Sequence, residues 1–301
     1  MPLLERACGR VSASASASPD KADRLARPPN HRSGGLAARG ASAPGALPSP
    51  NIEGMNLRMP ERVRVDAVIQ AAMDMEAAPF LHELAPLGDA ETPDAVLGGS
   101  RMTQRFALGE LEGKSVLVVT SGIGLANSAC ATARALALVD TPVVIAAGTT
   151  GGLARDINVG DIAAGTTAIY GQADATAFGY APGQIPQMPV DYTSSEAAAA
   201  RLDDLSDVIS HRVRIGQVLS SDSFCTQEHA EPMRRRFPDA IATDMETCAM
   251  AQVCWSAGVD WISLRAVSDL CEPSADQAFH MDGKRAASHS ADAVAAYLRM
   301  L

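Results

Sequence analysis

The side chains best suited to chemistry in this chain are acidic, and they sit in three places. Asp244 and Glu246 flank Met245 at the head of ATDMETCAMAQVCWSAG (242–258), which carries no other charge. Asp74 and Glu76 follow directly on an apolar run in IQAAMDMEAAPFL (69–81), and Asp269 closes WISLRAVSD (261–269), which has Arg265 in its middle. Carboxylates in such settings can transfer protons or accept hydrogen bonds from ligand hydroxyls. Each also has a plain structural reading. Asp244 suits a helix N-cap, and Glu246 would then fall in a first turn whose dipole keeps it ionised. That does not explain why a helix apolar all round, and therefore buried, carries its only charges at one end. Glu76 reads equally as an exposed first-turn residue or as a general base, and Asp269 as a strand-ending cap or a catalytic group. Arg265, inside a hydrophobic strand, needs a carboxylate, hydroxyl or water partner, because an unpaired buried charge is costly.

The elements that must position these groups alternate. VRVDAVIQAA (63–72), SVLVVTS (115–121), VVIAAG (143–148), VRIGQVLSS (213–221) and WISLRAVSD read as strands, several of them near-continuous apolar runs. LANSACATARALAL from Leu125, the stretch opening at Met245 and RAASHSADAVAAYLRML at the C-terminus read as helices. Strand and helix in alternation predict an α/β fold: a single domain with a central mixed, largely parallel twisted sheet flanked by helices. Two glycine stretches, SGIGLAN (121–127) and AAGTTGGL (146–153), read as tight turns from strand to helix. The first lacks the third glycine of a dinucleotide fingerprint and the second lacks a P-loop's Lys-Ser/Thr, so what they offer is backbone close to a ligand at the carboxyl ends of strands.

Of the 301 residues, 47% are hydrophobic, enough for a large core. The net charge of -10 is the wrong sign for nucleic acid as a main partner and leaves a small molecule as the default. No run is long and apolar enough to span a membrane. Six cysteines without a regular framework fit reduced thiols in a cytoplasmic protein, and the scattered histidines show no metal-ligand spacing. Residues 1–58, rich in Ser, Ala, Pro and Arg, are read as a disordered extension of the 59–301 domain, because they cannot bury enough apolar surface to offset their ordering entropy.

Taken in order, these motifs resemble the methylthioadenosine/S-adenosylhomocysteine nucleosidases of the nucleoside phosphorylase superfamily. The resemblance runs from about Val65 to the C-terminus. It rests on AMDMEAAPF, SGIG, GTTGGL, NVGDI (158–162), ADATAFGYAPGQIP (173–186), FPDAIATDMETCAMAQVC and RAVSDL. It implies hydrolysis of the N-glycosidic bond of a 5'-alkylthio adenine nucleoside by water, with no cofactor and no metal. Glu76 would activate the water, with Arg265 and Thr149 placing it. Glu246 would accept from the ribose hydroxyls, with Met245 beneath the sugar. Asp269, supported by Ser268, would protonate adenine N7, while Phe224 stacks on the purine and the Cys225 main chain reads its edge. Met73, Ile123, Phe178 and Phe279 would line the 5'-substituent pocket, and Ala175 and Pro186 would reach into a partner's site in a homodimer. The chain departs from the family pattern at Gly171 and Gln172, where a histidine and an acid are usual, at Thr149 and Thr150, and in CEPSADQ after Asp269.

Other activities share the fold. A purine nucleoside phosphorylase would use phosphate. Phosphorylases of this superfamily resemble one another in placing an Arg before the second glycine turn and another after the first strand, whereas VVIAAGTT and AMDMEAAPF contain none. A futalosine-type hydrolase would differ at the 5' pocket. A nucleoside-binding storage protein would have no use for a water-activating base.

Overall fold

The computed structural model describes residues 62–87, 94–99, 102–272 and 275–301, and of 94–99, 102–103 and 275–282 the backbone alone. The extension expected over 1–58 lies outside the described residues. Along the chain, β1 (Val63–Arg64) and β2 (Ala67–Ala71) lead into α1 (Asp74–Glu83). A meander of β3 (Asp94–Gly99), β4 (Met102–Leu111) and β5 (Lys114–Thr120) follows. Glu112 and Gly113 turn β4 into β5 with φ of 54° and 72°, the double positive φ that a two-residue hairpin matched to strand twist requires. Next come α2 (Leu125–Leu138), β6 (Val139–Asp140), β7 (Val143–Gly152) and β8 (Ile162–Tyr170). A 3₁₀ turn at Thr176–Phe178 precedes β9 (Tyr192–Thr193), α3 (Glu196–Val208) and β10 (Val213–Ser220). The chain ends with α4 (Gln227–Arg236), β11 (Ala240–Asp244), α5 (Thr247–Ala257), β12 (Asp260–Asp269) and α6 (Ala275–Arg299).

The main sheet runs β11-β10-β8-β12-β7-β2-β5-β4-β3, with β9 beside β8. Its central pairings are parallel, while β8–β12 and the meander are antiparallel, so the sheet is mixed and largely parallel as expected. The far end of β7 also pairs with β11, Gly151 opposite Thr243 and Gly152 opposite Ala242, which closes the strands from β7 to β11 into a ring. Alternation along β2 sorts the core. Val68 packs with Ala131, Ala135 and Met250 of α2 and α5, whereas Ala67 and Ile69 pack with Phe80, Leu202, Ala293 and Tyr297 of α1, α3 and α6. Both faces of the sheet are therefore helix-covered, which is why its strands read as unbroken apolar runs. Among the described residues no helix is long and apolar enough to cross a membrane.

Two expectations change. AAGTTGGL is not a turn into a helix: β7 continues through it to Gly152, and its glycines serve close approach within a strand. Helix α5 begins at Thr247, so Asp244 ends β11 and Glu246 occupies the N-cap position with φ -137° and ψ -43°. Asp244 nevertheless supplies the cap, since its Oδ1 accepts from the Glu246 and Thr247 backbone N–H groups at 3.1 Å each.

Candidate active site

Glu76 is the third residue of α1 and only 1% exposed, which removes its reading as a surface residue. Its Oε2 accepts from the backbone N–H of Ala72 and Met73, both at 3.0 Å, as an acid one turn into a helix can do for the residues before it. Oε1 accepts from Thr149 twice, from the backbone N–H at 2.8 Å and the hydroxyl at 2.7 Å. Gly148 takes φ 120° beside it, and a Cβ there would stand 2.5 Å from the Glu76 Cδ. The second glycine stretch thus exists so that β7 can press its backbone against this carboxylate.

Arg265, at 2% exposure, faces Asp244 and Glu246 instead of Glu76. Its Nε lies 3.3 Å from Asp244 Oδ2, its Nη2 lies 3.2 Å from Glu246 Oε2, and its Nη1 donates to the Thr149 carbonyl at 3.0 Å. The link expected between Arg265 and Glu76 therefore runs through the Thr149 peptide. Asp244 also accepts from the hydroxyls of Ser220 and Thr247. Glu246 Oε1 accepts from the Gly124 N–H at 2.9 Å, the single turn of SGIG that meets it, and its own carbonyl accepts from Ser128. Burial pushes the Glu246 carboxyl up to about 7, with Asp244 and Glu76 adding repulsion that Arg265 and the Gly124 N–H only partly offset. The helix dipole does not keep this group fully ionised at neutral pH, contrary to the sequence expectation. Burial opposes the Arg265 charge, but Asp244, Glu246 and Glu76 outweigh it and hold its pKa above the ordinary value.

Asp269 ends β12 at a bulge, where the register with β7 slips between Val267 and Asp269. The extra residue, Ser268, is turned to the same side as Asp269 and donates to its Oδ2 at 3.0 Å. Strict period-two alternation would put these two side chains on opposite faces. Burial raises the Asp269 pKa, against the pull of the Cys271 N–H on Oδ1 and the Ser268 hydroxyl.

These groups share one cavity with about 690 Å³ of empty space, part of it open to solvent. Its wall includes Met73, Glu76, Ile123, Thr149, Phe224, Cys225, Met245, Glu246, Arg265, Ser268 and Asp269, all named from the sequence. Ala72, Thr150, Gly151, Ser223, Thr243, Asp244 and Cys271 complete it. Asp244 was read only as a cap. The signal for its second role was Arg265, whose need for a counter-charge two carboxylates now meet. Phe178 does not line the cavity: it sits on the 3₁₀ turn and is 83% exposed. Ala175 is buried at that turn and Pro186 is exposed, neither of them on the cavity wall. Phe279 lies in α6 among residues whose side chains are outside the described set. No group of His, Cys, Asp and Glu among the described residues could hold a metal ion.

Glu76 abuts Gly148, and Asp269 Oδ1 lies against Gly151, three residues further along β7. At about 3.3 Å per residue the two contact points are roughly 10 Å apart along β7, and both carboxylates border the same cavity. One can accept a proton while the other, its pKa raised, is suited to hold one.

Residues 66–299 match the family profile of the phosphorylase superfamily. A 5'-methylthioadenosine/S-adenosylhomocysteine nucleosidase from Staphylococcus haemolyticus (strain JCSC1435) is 35% identical over 198 residues, 65% of this chain and 87% of that protein. The crystal structure of the corresponding enzyme from Neisseria meningitidis, in complex with methylthio-immucillin-A, superposes with a TM-score of 0.69 at 33% identity, covering 78% of this chain and 98% of that one. Futalosine hydrolase of Helicobacter pylori strain 26695 superposes at 0.71 with 25% identity, covering 79% and 99%.

Proposed function

The chain belongs to the phosphorylase superfamily and, within it, to the 5'-methylthioadenosine/S-adenosylhomocysteine nucleosidases, and we infer that it hydrolyses the N-glycosidic bond of 5'-alkylthio adenine nucleosides, releasing adenine and a thioribose. The observation that carries this reading is the convergence of Glu76, Glu246 and Asp269 on one cavity, with Glu76 and Asp269 against β7 at Gly148 and Gly151. Adenine leaves slowly unless protonated, and the ribosyl carbon gains positive charge as the bond breaks. Asp269, its pKa raised by burial, is suited to deliver a proton to N7, with Ser268 holding it. Glu246 accepts from the ribose hydroxyls above Met245. Glu76 takes the proton of the attacking water. The Thr149 hydroxyl is the one donor on Glu76 free to rotate and make room for that water. Arg265 fixes Glu246 and the Thr149 peptide, and through that peptide helps place the water beside Glu76. Phe224 and the Cys225 main chain take the purine, and Met73 and Ile123 the 5'-alkylthio group.

Water is favoured over phosphate as the nucleophile by the charge of the wall. Its only guanidinium among the described residues is committed to two carboxylates, and Glu76 would repel a phosphate dianion. A storage role is disfavoured because it gives Glu76 nothing to do. Exposed Phe178, with Ala175 and Pro186 nearby in sequence, fits a second copy of the chain whose pocket it completes, so the working unit is proposed as a homodimer. Cysteines that are all free among the described residues support placement in the cytoplasm, and a 5'-alkylthio substrate supports a part in methionine salvage.

The test is incubation with methylthioadenosine, with and without phosphate, followed by chromatography. Adenine and free methylthioribose should appear at the same rate in both. Adenine release that strictly requires phosphate would overturn the hydrolase reading. Release from futalosine and not from methylthioadenosine would move the assignment to the related hydrolase.

A further inference from the structure

Ser290 belongs to α6 and has no exposed surface. Its hydroxyl accepts from the Gly148 N–H at 2.8 Å and donates to the Leu264 carbonyl at 2.6 Å. Gly148 stands opposite Arg265 in the parallel β7–β12 ladder. In that register the N–H of Gly148 and the carbonyl of Leu264 are the pair that would ordinarily bond to each other. The Ser290 hydroxyl therefore bonds to both ends of this rung and ties it to α6.

The position of this rung gives it a role. The next residue on β7 is Thr149, whose N–H and hydroxyl grip Glu76, and the next on β12 is Arg265. Gly148 itself keeps φ 120° against the Glu76 carboxylate. Without the hydroxyl the rung would lose its tie to α6, and the following peptide, the one aimed at Glu76, would be free to shift with it. We propose that Ser290 is a positioning residue for the reaction: its hydroxyl anchors the Gly148 N–H and the Leu264 carbonyl to α6 so that the Thr149 peptide and the Glu76 carboxylate keep their alignment. The proposal rests on the nucleosidase reading and adds to it a residue that touches neither substrate nor water.

The experiment compares Ser290→Ala with Ser194→Ala. Ser194 also gives a buried hydroxyl to a carbonyl, that of Trp261, away from the cavity. With methylthioadenosine, Ser290→Ala should lower kcat by about 10- to 100-fold, the scale expected of a small misplacement of reacting groups. KM should stay within about threefold, because the groups that bind the ground state are untouched. Its melting temperature should stay within about 4 °C of wild type, since the N–H and the carbonyl remain partners in the β7–β12 ladder. Ser290→Thr, which keeps the hydroxyl, should retain more of kcat than Ser290→Ala. Ser194→Ala should leave kcat unchanged. The proposal is overturned if Ser290→Ala keeps kcat within about twofold, if Ser194→Ala loses as much, or if Ser290→Ala has no melting transition, which would make the residue a support of the fold. An inactive wild-type protein would sink the activity reading and this inference with it, whereas an active wild type beside an unimpaired Ser290→Ala would sink this inference alone.

Discussion

Replacing Glu246 by Gln should change the pH dependence of stability as well as abolish turnover, and the two effects have separate causes. Glu246 is 4% exposed, and burial with its acidic neighbours lifts its carboxyl from 4.5 to about 7. A group whose pKa is raised by folding contributes its full stability below its unfolded value and loses it as pH climbs through the folded value. For Glu246 that window runs from 4.5 to about 7. A shift of this size corresponds to roughly 3 kcal/mol. Glutamine has the shape of the protonated acid and does not titrate. Its NH₂ faces Arg265 less well than an oxygen does, but that penalty is the same at every pH and drops out of a comparison. The difference in stability between Glu246→Gln and wild type should therefore grow in favour of the variant by roughly 3 kcal/mol between pH 4.5 and 8, or about 6–12 °C of melting temperature for a domain of this size. Thermal melts of both proteins across that range make the measurement. Parallel curves, or a difference growing toward acid, would refute the claim that this cluster holds a proton near neutrality.

Asp269→Asn removes the proton for the leaving base, and kcat should fall by about 10²- to 10⁴-fold with KM little changed, read by adenine release; full activity would exclude Asp269 as the acid. Phe178→Ala tests the shared pocket. If Phe178 packs on a partner's substrate, KM should rise about 10-fold or more, the equivalent of losing one buried aromatic ring. An unchanged KM, or a monomer by light scattering, would place that side chain elsewhere.

Much of the site was legible in the sequence because the relevant signals are local conflicts. A charge in an apolar strand, Arg265, announced a buried counter-charge, and two acids at the head of an uncharged helix, Asp244 and Glu246, supplied it. An acid following the first apolar run marked the edge where Glu76 lies. Other features are set by partners distant in sequence, on which no period in the chain bears. Thr149 meets Glu76 across 73 positions, and Ser290 meets Gly148 across 142. The bulge at Ser268 depends on the register of β12 with β7 and leaves no local mark. Glycine misled most. In GTTGG it reads as a turn, because turns are where glycine is commonest. Here it permits side chains to approach a strand: Glu76 at Gly148, Cys271 and Asp269 at Gly151. Strand β8, IAAGTTAIY, escaped notice for a related reason, since small residues and a central glycine weaken the β signal. Gly165 is there to admit Val218 and Ser263, within 3.0 Å of where its Cβ would stand.

The carboxylates around Arg265 also bear on how the proposed site would favour bond breaking over binding. Glu76, Asp244 and Glu246 surround one guanidinium, and all three act electrostatically on it. Fully ionised, that group would carry more negative than positive charge out of contact with bulk water, which is costly. The raised pKa of Glu246 is the response: near neutrality the cluster retains part of a proton, a property of the group more than of one residue. A neutral nucleoside entering the cavity does nothing to this imbalance. A ribosyl centre turning positive beside Glu246 and Glu76 corrects it, and in doing so draws Glu246 toward its ionised form. The attraction therefore increases along the reaction coordinate, which is the condition for an electrostatic term to raise kcat instead of only lowering KM. Asp244 has its part in this balance. By pairing with Arg265 at Nε, it takes up part of the positive charge that would otherwise offset Glu246 and Glu76, the carboxylates proposed to act at the sugar.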